Sequence, residues 1–109
     1  MATATFIHDG EAIDYTPTAD VAAGAVVVQG ELVGVAKQPI AANTLGALAV
    51  TGVFDFPKAT GSAITAGALC YWDATNQRAT TTATGNKLIG KCVKAAADAD
   101  TTVRVRMSQ

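Results

Sequence analysis

The chain has 109 residues, one domain's worth, with 8 Lys and Arg against 9 Asp and Glu and a net charge of −1 at pH 7. That balance excludes a general electrostatic pull toward nucleic acid or an anionic membrane. Charged residues are 16% of the chain, so Ala, Thr and Gly must cover much of the surface, and such a surface suits close contact with another protein because few charges need desolvation.

Residues 1–19 stand apart from the pattern that follows and read as an extended N-terminal arm or an edge hairpin. Met1 to Phe6 alternates Thr with small or apolar residues, which favours extended chain. His8-Asp9-Gly10-Glu11 is a turn signal, Ala12 to Thr16 a possible short strand, and Pro17 its stop. The arm holds Phe6, Ile7, Ile13 and Tyr15, more apolar anchors than a solvated tail needs, so these four are the candidate contacts to a partner.

Residues 20–109 read as a single β domain. Val21 to Val28 carries a glycine turn into a β-branched run. Gln29-Gly30-Glu31 is a turn, and Leu32-Val33-Gly34-Val35-Ala36 a second strand. Over Leu45 to Val53 the Ala-rich part could be helical, but Gly46, Thr51 and Gly52 argue against a long helix. Phe54-Asp55-Phe56-Pro57 alternates and then breaks. The second half resembles the first: Asp20 to Val28 lines up with Ala63 to Tyr71, and Leu32 to Ala36 with Leu88 to Cys92. Between its two blocks the second half inserts Asp73 to Gly85, a Thr-rich loop or hairpin. Thr101 to Met107 alternates strictly, with Val103, Val105 and Met107 on one face and Arg104 and Arg106 on the other. The expectation is an all-β fold, a small barrel or sandwich with an internal pseudo-repeat of halves 20–58 and 59–109.

No constellation carries chemistry. Gly85-Asn86-Lys87-Leu88-Ile89-Gly90-Lys91-Cys92 has the spacing of a phosphate-binding loop, but Cys92 replaces the hydroxyl that should ligate Mg²⁺, and the flanks are not strand and helix. A turn at Gly85-Asn86 opening a strand explains it. His8 is the only histidine and has no ligand cluster around it. Cys70 and Cys92 are too few for a disulfide framework and read as core thiols. Asp98 and Asp100 read as a solvated turn, and Arg104 with Arg106 as a salt-bridge or interface stripe. Tyr71-Trp72 is an aromatic anchor, in the core or, if exposed, at an interface. No catalytic residue, metal ligand or cofactor site is expected. No apolar run nears 18 residues, and the N-terminus lacks a cationic start leading into an apolar stretch, so no membrane span or signal peptide is expected and synthesis is placed in a cytoplasm.

Ala66-Gly67-Ala68-Leu69-Cys70-Tyr71-Trp72-Asp73, Thr80 to Gly90 and Ala99 to Arg106, with Gly34-Val35-Ala36 and Gly52 to Lys58 in the first half, resemble one family. It is that of tailed-bacteriophage capsid decoration (cement) proteins, often labelled "RecA/RadA recombinase-like phage-associated". The recombinase label finds no support in these residues. The resemblance implies a non-enzymatic virion protein on the outer capsid surface, commonly a homotrimer, whose partner is the major capsid protein, with no nucleic acid and no membrane. It would be made in the bacterial host cytoplasm. A different structural role, a head-fibre or tail-associated adhesion module binding host glycans, would use Tyr71 and Trp72 as an exposed platform.

Overall fold

The computed structural model describes residues 3–109, so the first two residues of the expected arm lie outside the described residues. The expected all-β fold is what the chain adopts. Its strands are β1 (Ala12–Tyr15), β2 (Val26–Gln29), β3 (Leu32–Val35), β4 (Gly46–Ala49), β5 (Gly52–Pro57), β6 (Leu69–Asp73), β7 (Arg78–Thr80), β8 (Lys87–Lys94) and β9 (Thr102–Met107). They form two antiparallel sheets, ordered β1-β4-β3-β2 and β5-β9-β8-β6-β7.

The pseudo-repeat is a whole sheet. Apart from β7, the second sheet repeats the strand order of the first: β5 stands for β1, β6 for β2, β8 for β3 and β9 for β4. The turns repeat in detail. Gly24 and Gly67 sit at φ +85° and +88°, a region open to glycine and strained for other residues. The Gly24 amide donates to the Ala36 carbonyl at 2.6 Å, and the Gly67 amide to the Cys92 carbonyl at 2.7 Å. The isolated bridge Val21↔Ile40 of the first unit recurs as Ile64↔Ala96 in the second.

Two boundaries differ from those read off the sequence. The repeat reaches back into the arm, because β1 pairs with β4 as Ala12↔Ala49, Ile13↔Leu48, Asp14↔Ala47 and Tyr15↔Gly46. Likewise β5 belongs to the second sheet, pairing with β9 from Gly52↔Met107 to Pro57↔Thr102, so the units divide near residue 51 rather than 58. The glycine turns that reveal the repeat mark only its second strand; the first strand of each unit precedes them in the chain. Ala12-Ile13-Asp14-Tyr15 and Val53-Phe54-Asp55-Phe56 are therefore equivalent.

Each unit has a core built from the same positions. Ile13, Tyr15, Val21, Val27, Ala36, Ile40 and Leu48 form the smaller cluster. Their equivalents Phe54, Phe56, Ile64, Cys70, Cys92, Ala96 and Val105 all belong to the larger one. The larger core gains Trp72 and Ala79 from the hairpin that carries β7. It gains Val33 and Val35 of the first sheet as well, with Val26 and Val28 packed beside them. In β2 and β3 these four share one face, since Val26 pairs with Val35 and Val28 with Val33 while Val27 pairs with Gly34. The first sheet thus turns one face to its own small core and the other to the core of the second unit. The second sheet curls toward closure: Lys58, just past β5, makes a parallel bridge to Ala79 of β7.

Candidate interaction surface

The four apolar residues expected to make contacts are divided by the fold. Phe6 and Ile7 lie ahead of β1 and are 80% and 78% exposed. Ile13 and Tyr15 are half-buried and pack on the small core through Leu48 and its neighbours. Beside that core, a groove of about 280 Å³ runs between β4 and the preceding loop, lined in part by Pro39, Ile40 and Leu45. Leu45 is exposed at its rim.

Sequence reasoning did not single out the outward face of the second sheet. The bonded registers place Val53, Arg106, Lys91 and Leu69 in one row across β5, β9, β8 and β6, and all four are exposed. A second row holds Asp55, Arg104 and Lys94. Two irregularities shape this surface. Ile89 is skipped where β6 pairs with β8, which sends it into the core, and Val93 is skipped where β8 pairs with β9, which leaves it exposed. The signal was partly present in the Arg104–Arg106 alternation. Its partners on β5, β6 and β8 come from registers that the sequence does not display.

The electrostatics of the two rows differ. Arg104 donates to Asp55 through Nε at 2.9 Å and through Nη2 at 3.2 Å. That hydrogen bond holds the Asp55 carboxyl below its ordinary range and raises Arg104, with the charge attraction adding to both shifts. The other ion pair among the described residues is Lys87–Glu31, at 2.7 Å, tying β8 to the β2–β3 turn. Lys91 and Arg106 face each other, and among the described residues no carboxylate makes an ion pair to either. Asp73 organises the turn after β6, accepting from the Thr75 and Asn76 amides and the Asn76 side chain; the Asn76 side-chain bond is the largest cause of its lowered pKa.

The other features weighed from sequence resolve as structure. The phosphate-loop spacing falls on a turn and on β8, with the Asn86 amide donating to the Ala83 carbonyl. Cys70 and Cys92 are buried free thiols, and burial pushes Cys70 up to about 11. Lys58 is 6% exposed; its ammonium donates to the carbonyls of Ala59 and Asp100 at 2.8 and 3.1 Å, with that of Asp98 at 3.5 Å. This holds together the loops at that end of the second sheet. Trp72 lies in the core at 3% exposure, tilted against Phe56 with ring centroids 6.0 Å apart, while Tyr71 is half-buried. Among the described residues no three His, Cys, Asp or Glu side chains gather as a metal would need.

A family model described as phage cement protein matches residues 7–107. No curated protein matches the chain, and no solved structure does.

Proposed function

We propose that this chain, which belongs to the phage cement protein family, binds the major capsid protein on the outer surface of an expanded tailed-phage capsid, as a non-enzymatic homotrimer. The observation that carries the reading is the family match across residues 7–107, nearly all of this chain. The surface supports it: apolar side chains stand exposed at Phe6, Ile7, Leu45, Val53, Leu69 and Val93 on a molecule with few charges to desolvate. Made in the host cytoplasm, the protein would meet the capsid there.

A cement protein needs binding energy and no chemistry. If it binds the expanded lattice better than the precursor, mass action stabilises the expanded state. Each contact needs only a standard interface of roughly 800 Å² per partner. Many copies, each a trimer held at several points, multiply a modest affinity. Phe6 and Ile7 are the residues best placed to reach the shell. The alternative, a glycan-binding adhesion module, loses its aromatic platform because Trp72 is in the core.

The test adds purified protein to expanded and precursor capsids of the encoding phage. Cryo-electron microscopy reads occupancy, and light scattering reads the temperature of capsid disruption. Saturable binding to expanded capsids alone, with a higher disruption temperature, is expected. Phe6→Ser with Ile7→Ser should lower occupancy and leave the fold intact. Equal binding to both capsid forms, or to neither, would sink the proposal.

A further inference from the structure

Building on the oligomer proposed above, we infer that the outward face of the second sheet docks the acidic end of the first sheet in a second copy of this chain. The face is the Val53, Arg106, Lys91, Leu69 row with Arg104 and Lys94 behind it. The acidic end is Asp9, Glu11 and Asp14, exposed at and just before β1, an edge strand of its sheet.

The first observation is an uncompensated repulsion. Like charges directly opposite in a sheet are destabilising, and this face holds two such pairs, Lys91↔Arg106 and Lys94↔Arg104. Asp55 answers the second through Arg104. Nothing in the chain answers the first with an ion pair among the described residues, and Val53 and Leu69 flank it, exposed. A cationic pair between two apolar side chains is built to receive carboxylates on a partly apolar surface.

The second observation is the repeat itself. The equivalent row of the first sheet is Ala12, Ala49, Val35 and Val26. There the same face of the same unit is already a docking face: Val35 is buried in the core of the second unit and Val26 packs against it. The second unit turns the same face outward, and all four side chains of its row are exposed.

The third observation names the occupant. Charge is segregated along the chain. Residues 1–50 hold Lys37 against Asp9, Glu11, Asp14, Asp20 and Glu31, a net −4. Residues 51–109 hold seven cations against Asp55, Asp73, Asp98 and Asp100, a net +3. The surface that complements the basic face is the chain's own acidic end. The two patches differ, so the contact is head-to-tail, and it yields a closed ring when the rotation permits.

Sedimentation of the capsid-free protein tests this. Wild type should associate at low salt and dissociate as screening rises. Lys91→Glu with Arg106→Glu, and separately Glu11→Lys with Asp14→Lys, should each weaken association by roughly tenfold or more with unchanged circular dichroism. All four substitutions in one chain reverse both sides and should restore it. A wild type that stays monomeric, a face variant that associates as wild type does, or a fourfold variant that fails to recover would overturn the contact. So would a face variant that keeps its oligomer and loses capsid binding, which would give the face to the shell. A restored oligomer that does not bind expanded capsids supports the docking contact and sinks the capsid assignment instead.

Discussion

In the first sheet the row Ala12–Ala49–Val35–Val26 is neutral, and its Val35 and Val26 lie against the second unit; in the second sheet the equivalent row Val53–Arg106–Lys91–Leu69 is cationic and open. The backbone pairing that builds the two rows is the same. What separates an internal packing face from an external one is two positions, Ala49 against Arg106 and Val35 against Lys91. The duplicated sheet supplies one face twice, and side-chain chemistry decides whether it is spent on the chain's own fold or kept for a partner.

The two cores differ as well, and the largest expected effects test whether the second carries the fold. Val105 and Leu48 are equivalent, and both are fully buried. Val105→Asp places a carboxylate in the larger cluster, an unpaired charge that costs several kcal/mol at least, against a total stability of about 5–15 kcal/mol. Insoluble or unfolded protein is expected. Leu48→Ala in the smaller cluster should cost about 2–5 kcal/mol and leave a folded, less stable protein. Because Val33 and Val35 of the first sheet sit in the second unit's core, melting of that variant should remain a single transition. Two separated transitions by circular dichroism would show that the sheets are independent.

Gly90 and Gly34 sharpen the comparison at the backbone. They occupy equivalent positions on β8 and β3. A Cβ on Gly90 would meet the Arg106 carbonyl oxygen, a backbone atom held in β9. A Cβ on Gly34 would meet the Leu48 side chain, with its nearest atom at 2.9 Å. Both contacts are with atoms fixed to a neighbouring strand, since the nearest Leu48 atom is its Cβ, but the overlap of a Gly90 side chain with the β9 backbone is much the deeper. Gly34→Ala should therefore cost about 1–3 kcal/mol, the usual range for overpacking, and Gly90→Ala distinctly more. Denaturant midpoints measure both, and a Gly90→Ala midpoint at or above that of Gly34→Ala would refute the ordering.

These equivalences explain what the sequence disclosed. The glycine turns at 24 and 67, the block Leu32–Ala36 against Leu88–Cys92, and the alternation of Val103, Val105 and Met107 were legible because each is local. The correspondence of Ala12-Ile13-Asp14-Tyr15 with Val53-Phe54-Asp55-Phe56 is also local. It carries no glycine turn of its own, because the first strand of each unit lies ahead of the turns that mark the repeat. The basic row was not legible in the same way. Val53, Leu69, Lys91 and Arg106 come from four strands, and two skipped residues, Ile89 and Val93, set which side chains of β8 face outward. Registers and bulges are set by tertiary packing, which local periodicity does not record.

Lys58 stands where the first unit has Pro17, and both are buried. Proline needs no partners there. The lysine replaces it with three contacts to backbone carbonyls, those of Ala59, Asp98 and Asp100. Lys58→Met keeps the length of the side chain and leaves those carbonyls without their donor, at a cost of about 1–3 kcal/mol. The melting temperature should fall by roughly 4–8 °C for each kcal/mol lost. A melting temperature equal to wild type would mean that the carbonyls find other donors.

The smallest effect separates Asp55 from its equivalent Asp14. Asp55 lies opposite Arg104 and is bonded to it; Asp14 lies opposite Ala47 and makes no ion pair among the described residues. Arg104 holds the Asp55 carboxyl below its ordinary value of 3.8 in the folded chain. A depressed folded pKa contributes stability above the unfolded value, and that contribution is lost as pH falls through the folded one. Both side chains are about half exposed, so solvent screening limits the pair to about 0.2–1 kcal/mol. Asp55→Asn should therefore lower stability by that amount at pH 6. The gap to wild type should start to close as pH falls through the ordinary value of 3.8, where the unfolded carboxyl takes up its proton, and should be gone once pH has passed below the lower folded value, where the ion pair is lost. Added salt should narrow the gap at pH 6 as well. Asp14→Asn removes no ion pair within the chain among the described residues, so its stability at pH 6, measured at concentrations too low for association, should not respond to salt in this way. A gap for Asp55→Asn that stays constant from pH 6 down through acid would show that the bond to Arg104 contributes shape and not charge.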